Sequence, residues 1–394
     1  MVTLSRRSAL LGLAAAFSFG RSSLAVAQIK IENRLVVVNL RGALDGIATV
    51  IPYGDPAYAD LRGPIALAPG APEGPLDLGG FYGLNPALPN LHGMYVAGEL
   101  LPIHAVAGPY RERSHFVAQD YLESGANQRL ASGWLNRVLQ AIPTPPGLPP
   151  EREGVAIGGP TPLLMRGPAP VSNWAPGGMP TAESSLYAAI AALSKTDPVI
   201  GPAVMVGLSS RGFSAAILNG MEPDRSLGQF GTLAKTAGEL LRAKDGPRIA
   251  SMDINGWDTH AAQAHRLTPL LRQLDTGLSA LKTALGPIWR QTVVLVMTEF
   301  GRTAKMNGTG GTDHGTATVA FVVGGAVAGG RVAGTWPGLA QDKLLDRRDL
   351  APTTDLRSVS KAILAQHLGL DRRVIGQVFP GSEAVEPMSG VIRT

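Results

Sequence analysis

The sequence predicts an α/β fold in which a buried sheet carries helices on both faces, and three observations point to it. Leu35–Leu40, Thr292–Thr298 and Thr318–Gly324 are short apolar or β-branched runs without alternation, the pattern of strands buried on both sides as in a parallel sheet. Leu267 to Leu285 carries leucines at 267, 270, 271, 274, 278, 281 and 285, the stripe of a helix covering a core. Polar residues cluster just beyond the strand runs, where ligands bind in open α/β sheets.

Before the first strand the chain reads as a targeting segment. Arg6-Arg7 precedes an apolar run ending at Phe19, and Ala25-Val26-Ala27 has the small residues of a cleavage site. Residues 1–27 are therefore expected to be a twin-arginine signal peptide, residues 28–394 a single exported domain, and the destination periplasmic or secreted. The apolar run is shorter than the ~20 residues that span a bilayer, and no later stretch qualifies, so no membrane span is expected. Arg6, Arg7 and Arg21 fall in this segment, which holds no acid, so three units of the formal +5 charge belong to it. The remainder has no basic run interleaved with aromatics, which argues against nucleic-acid binding. With 0 cysteines, neither disulfides nor thiolate metal ligands are open to it. The 49 glycines and 31 prolines signal many turns and long irregular loops.

Leu35–Leu40 is the first expected strand, followed by the turn Arg41-Gly42-Ala43-Leu44-Asp45-Gly46. Asp45 then stands at a strand end beside a helix N-terminus, where it either caps the helix or binds a ligand. Residues 53–92 read as a long loop, and Leu101–Ala107 as a second buried strand. Ser114 to Gly125 reads as a helix capped by Ser114 and closed by Gly125. Trp134–Ile142 reads as a short helix, with possible edge strands at Val155–Ile157 and Leu163–Met165. Ser184–Leu193 and Phe230–Arg242 are expected helices, and Gly201–Leu218 is ambiguous. Arg248–Ile254 is a third strand, Gly329–Gly334 an edge or hairpin element, and Leu356–Leu368 the closing helix.

The chemistry-bearing residues gather at these strand ends: Asp45, then Asp258 and His260, then Glu299 and Arg302, then Asp313 and His314. Singly, each has an ordinary explanation in an ion pair or a turn. Together, carboxylate and imidazole are the donors of Zn²⁺ and related divalent ions where cysteine is absent, with a position left for substrate or water. A Ser-His-Asp hydrolase using Ser114 competes with this reading, but the chain has no G-x-S-x-G elbow around that residue.

Three motifs carry a resemblance: Arg41-Gly42-Ala43-Leu44-Asp45-Gly46, Gly256-Trp257-Asp258-Thr259-His260, and Glu299-Phe300-Gly301-Arg302-Thr303 with Gly311-Thr312-Asp313-His314-Gly315. They resemble the exported bacterial family known as domain of unknown function 1501, over nearly all of residues 28–394. That family is similar to the alkaline phosphatase and sulfatase superfamily. The resemblance implies a central mixed, mostly parallel sheet between helices, with long loops and small cap elements. It also implies one metal held by Asp258, His260 and His314, and a second near Asp45. Where the superfamily has an Asp-His pair for the second metal this chain reads Glu299-Phe300, and Asp313 precedes His314. The nucleophile position falls at His115, with Ser114 beside it.

The expected function is a metal-dependent hydrolase of a small anionic ester, a sulfate, phosphate or relative. Zn²⁺ is the first choice of metal, with Ca²⁺, Mg²⁺ or Mn²⁺ open. Arg302 would hold the anion, and Ser114 would attack or His115 would transfer a proton. The alternative is a non-catalytic periplasmic binding or assembly protein that keeps the fold and one structural metal.

Overall fold

A computed structural model describes residues 32–143, 153–175 and 225–393, with isolated residues between 189 and 218. The signal segment, most of the Ser184–Leu193 helix and half of Gly201–Leu218 lie outside the described residues. The strands are β1 (Arg34–Arg41), β2 (Val50–Ile51), β3 (Leu76–Asp77), β4 (Gly83–Leu84), β5 (Leu100–Ala107), β6 (Gly154–Ile157), β7 (Ser172–Trp174), β8 (Ile249–Asn255), β9 (Thr292–Met297), β10 (Thr318–Val323) and β11 (Thr354–Asp355). The helices used below are α1 (Gly46–Thr49), α2 (Tyr58–Arg62), α3 (Pro89–Val96), α4 (His115–Ser124), α5 (Trp134–Ala141), α6 (Gly228–Arg242), α7 (Gln263–Leu285), α8 (Leu356–Ala362) and α9 (Arg372–Val378).

Eight strands form one mixed sheet in the order β11-β5-β10-β9-β1-β8-β6-β7. The four runs around Leu35–Leu40, Arg248–Ile254, Thr292–Thr298 and Thr318–Gly324 are consecutive neighbours in it. β1 pairs in parallel with β8 and β9, while β10 is antiparallel to both β9 and β5. This one reversal positions the site. β1, β5, β8 and β9 all end at the same edge, and the lead into β10 arrives at that edge from the other direction. Segments 42–45, 108–115, 256–260, 298–302 and 313–314 are thereby brought together from distant parts of the chain.

The unalternating strand sequences follow from burial on both sides. Val36, Val38 and Leu40 face one core with α3, α6 and α7, whereas Leu35 and Val37 face another with α5, α8 and α9. Leu271, Leu274, Leu278, Leu281 and Leu285 of α7 are all 0 % exposed. Each leucine buried in this way contributes about 1.5–3 kcal/mol relative to exposure.

Several expectations need correction. Residues 53–92 are not one loop: they hold α2, the start of α3, and β3 and β4, which form a small sheet with β2, since the turn residues there separate elements too short to show a period. Leu163–Met165 is a 3-10 turn after Pro162, not an edge strand. Around Gly329–Gly334 the chain runs beside β5 through an isolated Ile103–Ala333 bridge rather than as a strand of its own. No helix among the described residues is long and apolar enough to cross a membrane.

Candidate metal centre

The turn after β1 is locked to the turn after β8. Trp257 N–H donates to the Arg41 carbonyl at 3.3 Å, and a Cβ on Gly42 would stand 2.7 Å from the Asp258 nitrogen. Only glycine fits there, at φ +119°. The loop before β10 is locked in a similar way. A Cβ on Gly311 would lie 2.3 Å from the His260 carbonyl carbon. Ala43, Arg113 and Ala262 flank the site with φ of 65°, 60° and 48°. Left-handed backbone costs a non-glycine residue about 1–2 kcal/mol, and such strain collects where geometry serves a site.

Asp258 Oδ1 is the centre of the cluster. It lies 3.0 Å from His260 Nε2, 3.2 Å from His314 Nε2 and 3.5 Å from His115 Nε2, and accepts from Arg302 Nη1 at 2.6 Å. His115 Nε2 and His314 Nε2 are 3.0 Å apart. Among the described residues, His115, Asp258 and His314 form the group that could hold a metal ion, their ligand atoms all within 4.8 Å of one another. Their sides of 3.0, 3.2 and 3.5 Å approach one face of a tetrahedron, the two shorter sides lying slightly inside it. Zn–N and Zn–O bonds of about 2.0–2.2 Å imply ligand separations of roughly 3.3–3.6 Å.

The other ring nitrogens fix which atoms hold lone pairs. His115 Nδ1 meets Glu299 Oε1 at 2.7 Å, His314 Nδ1 meets the Arg113 carbonyl at 2.9 Å, and His260 Nδ1 meets Asp313 Oδ1 at 3.1 Å. Each partner is an acceptor, so each neutral ring carries its proton on Nδ1 and turns an Nε2 lone pair toward Asp258. Partners of this kind orient metal-binding histidines and raise their basicity.

Electrostatics follow the same division. The Glu299 hydrogen bond pushes His115 above the usual imidazole range, against burial. Burial pulls His314 below it, the nearby His115 adding to the effect. Burial pushes the Glu299 carboxyl up, but hydrogen bonds from His115, Gln119 and the Gly42 amide leave it below the usual carboxylate range. Burial also raises the Asp258 carboxyl, and Arg302, with smaller help from His260 and His115, more than reverses this.

The residues singled out in the sequence therefore divide. Asp258, His260 and His314 come together, and His115, expected as an acid or base, joins them at ligand distance. Glu299 touches His115 and Asp313 touches His260, so both stand one hydrogen bond behind the cluster. Arg302 is fully buried, with Nη1 on Asp258, Nε on Thr312 Oγ1 at 3.3 Å and Nη2 on the Thr312 carbonyl. Its donors orient Asp258 instead of presenting an open fork. Asp45 does not converge: it caps α1 through Ala48 N–H at 3.0 Å, and its oxygens also accept from Arg62 Nη1 and Nη2 and from Gln263 Nε2 at 2.7 Å. Ser114 holds the N-cap position of α4, but its side chain makes no capping bond.

Sequence reasoning missed Gln119, Gln263 and Arg62. Gln119 had a signal, because it stands four residues after His115 on one helix face, and both bind Glu299. Gln263 links two regions, accepting from Thr312 at 2.6 Å while donating to Asp45. Arg62 had no signal, since it comes from α2 in the stretch read as loop.

The family described as "Protein of unknown function (DUF1501)" matches residues 101–379. No curated protein matches the chain. Solved structures similar to it include the C-terminal periplasmic domain of EcEptC from Escherichia coli in complex with Zn, at 10% identity over 90% of this chain and 87% of that one, TM-score 0.40. TAB5 alkaline phosphatase, a mutant with Mg bound, is 12% identical over 75% of this chain and 92% of that one, TM-score 0.34. The phosphonate monoester hydrolase of Agrobacterium radiobacter is 13% identical over 86% and 74%, TM-score 0.32. Likeness at this level identifies neither a reaction nor a substrate.

Proposed function

The chain belongs to the DUF1501 family, and we propose that it is an exported metal-dependent hydrolase of a sulfate, phosphate or related ester. The observation that carries this is the triangle of His115 Nε2, Asp258 Oδ1 and His314 Nε2, three acceptors aimed at one another. Acceptors so arranged require a proton or a cation between them, and two imidazoles with a carboxylate suit Zn²⁺. The metal, when bound, would polarise the ester oxygen and lower the pKa of water. Export rests on the Arg6-Arg7 segment alone.

The chain's own groups have separate tasks. Glu299 and the Arg113 carbonyl hold the rings of His115 and His314 in the tautomer that leaves Nε2 bare. Arg302 fixes the Asp258 carboxylate. The half-exposed His260, its Nδ1–H on Asp313, can accept a proton at Nε2. Ser114, next to His115 in sequence and not engaged in capping, is the hydroxyl we assign to the attack. A second metal near Asp45 has no support, because Arg62 already supplies positive charge there. That single observation favours the other reading, a binding protein with one structural metal.

Chelated protein supplied again with Zn²⁺, Mg²⁺, Mn²⁺ or Ca²⁺ and assayed on 4-nitrophenyl sulfate and phosphate tests the proposal. About one divalent ion per chain, with turnover restored and both lost in His314→Ala, is expected. Ser114→Ala should abolish turnover at a stability cost below the ~1 kcal/mol of a lost cap. Metal binding without turnover on either ester series would leave the binding-protein reading.

A further inference from the structure

A cavity of about 620 Å³ adjoins the site on its Asp313 side. Asn307 and Asp313 form one wall, and Arg348, whose Nη2 donates to the His314 carbonyl at 2.8 Å, belongs to another. The cavity is thus separated from the Asp258 cluster by single side chains. Lys305, Arg347 and Arg348 bring three positive charges to it, against Asp60 and Asp313. Asp313 is engaged by His260 and Asn307, and Arg348 is paired with Asp349 at 3.1 Å. Lys305 and Arg347 make no ion pair or side-chain hydrogen bond among the described residues, and Leu61 and Met306 add apolar surface.

The backbone gives an independent indication. Asp346 and Arg347 occupy the centre of a tight turn closed by Arg348 N–H on the Leu345 carbonyl at 3.0 Å, with φ of 52° and 54°. Positive φ at both central positions is normally met by Asn-Gly. An arginine therefore stands where glycine is the unstrained choice, and its side chain lines the cavity. A strained backbone position beside a site is where a functional side chain is sought.

We propose that this cavity is a subsite for a second anionic group, a sulfate, phosphate or carboxylate, carried by the same substrate whose ester reacts beside Asp258. The preferred substrates are accordingly at least doubly anionic, with an apolar or ring-like spacer between the charges. Lys305 and Arg347 bind the second group, and Arg348 adds field from its fixed place. This inference rests on the hydrolase reading.

The test uses two probes whose C–S bonds do not hydrolyse, benzenesulfonate and benzene-1,4-disulfonate, titrated calorimetrically into metal-loaded protein. The disulfonate should bind roughly tenfold or more tightly than the monosulfonate, as expected for charge-assisted hydrogen bonds to a second anion. Lys305→Gln and Arg347→Gly should each remove most of that preference and leave benzenesulfonate affinity unchanged. Arg347→Gly relieves the turn, so its melting temperature should be equal or higher, which separates lost binding from misfolding. Equal affinities for the two probes, no binding of either, or a preference that survives both variants would overturn the subsite. A preference that both variants abolish, in a protein that turns over neither aryl sulfates nor aryl phosphates, would keep the subsite and remove the hydrolase reading instead.

Discussion

The Nε2 atoms of His115 and His314 meet at 3.0 Å although 199 positions separate the two residues. With both Nδ1 atoms committed to acceptors, the contact holds either one proton or a metal. In metal-free protein the proton belongs on His115, whose affinity for it is raised by Glu299 while burial lowers that of His314.

Metal must displace that proton, so binding should strengthen with pH. Below the folded-state pKa of His115 the affinity should rise about tenfold per pH unit, and above it the curve should level off, as one-proton linkage requires. Competition against a chromophoric chelator between about pH 5 and about pH 9 reads this directly. A flat profile would mean that no ligand proton is released and that His115 is not a ligand.

Glu299→Gln tests the group behind that histidine. The amide oxygen can still accept from His115 and the Gly42 amide, so the fold should persist, but the charge that makes the ring basic is gone. Metal affinity should fall about 10–100-fold, the usual effect of losing such a partner. The His115 ring, followed by NMR in metal-free protein, should titrate at lower pH. Unchanged affinity and titration would confine Glu299 to shaping the turn.

Much of the sheet was legible because strands buried on both faces cannot alternate, and the Leu267–Leu285 helix because seven leucines share one stripe. The meeting of Asp258, His260 and His314 was legible only as a set of strand-end residues. Their mutual distances depend on β10 running against its neighbours, which no local pattern in Thr318–Gly324 records. The closeness of His115 to Asp258 and His314 was hidden for a related reason. Its place on α4 was clear, but that Glu299 would take its Nδ1 depends on two chain segments 184 positions apart. Asp45 was ambiguous in sequence because capping and ligation ask for the same carboxylate, and the deciding partner, Arg62, came from a stretch without periodicity.

The Arg62–Asp45 pair should be felt in stability rather than in chemistry. Both side chains are 1 % exposed, so Arg62→Met leaves a buried carboxylate with only Ala48 and Gln263 as donors. A loss of about 3–5 kcal/mol is expected, as for other buried pairs broken on one side. The double variant Arg62→Met with Asp45→Asn should recover a substantial part of it, because the uncompensated charge is removed. Denaturant titration of the four proteins gives the coupling. Equal stabilities for Arg62→Met and wild type would show that water or another cation already compensates Asp45.

His104 supplies a pH dependence independent of any metal. Its ring is buried against Tyr82 and Trp336. Nδ1 accepts from the Ala105 amide at 2.9 Å, and Nε2–H donates to the Val50 carbonyl at 2.9 Å. Burial lowers its pKa from 6.5 to about 4, so between those values the unfolded chain binds a proton that the folded one refuses. Stability tied to the neutral ring is thus complete above the unfolded pKa and is lost as pH falls toward about 4. The contribution is on the order of 3 kcal/mol, at 1.36 kcal/mol per pKa unit. Urea unfolding at about pH 7 and about pH 4.5 should show a smaller drop for His104→Gln than for wild type, even though the variant starts lower from lost packing. Carboxylates titrate in both proteins over the same range, so the difference between the two drops isolates the imidazole, and equal drops would mean that the folded protein accommodates a charged His104.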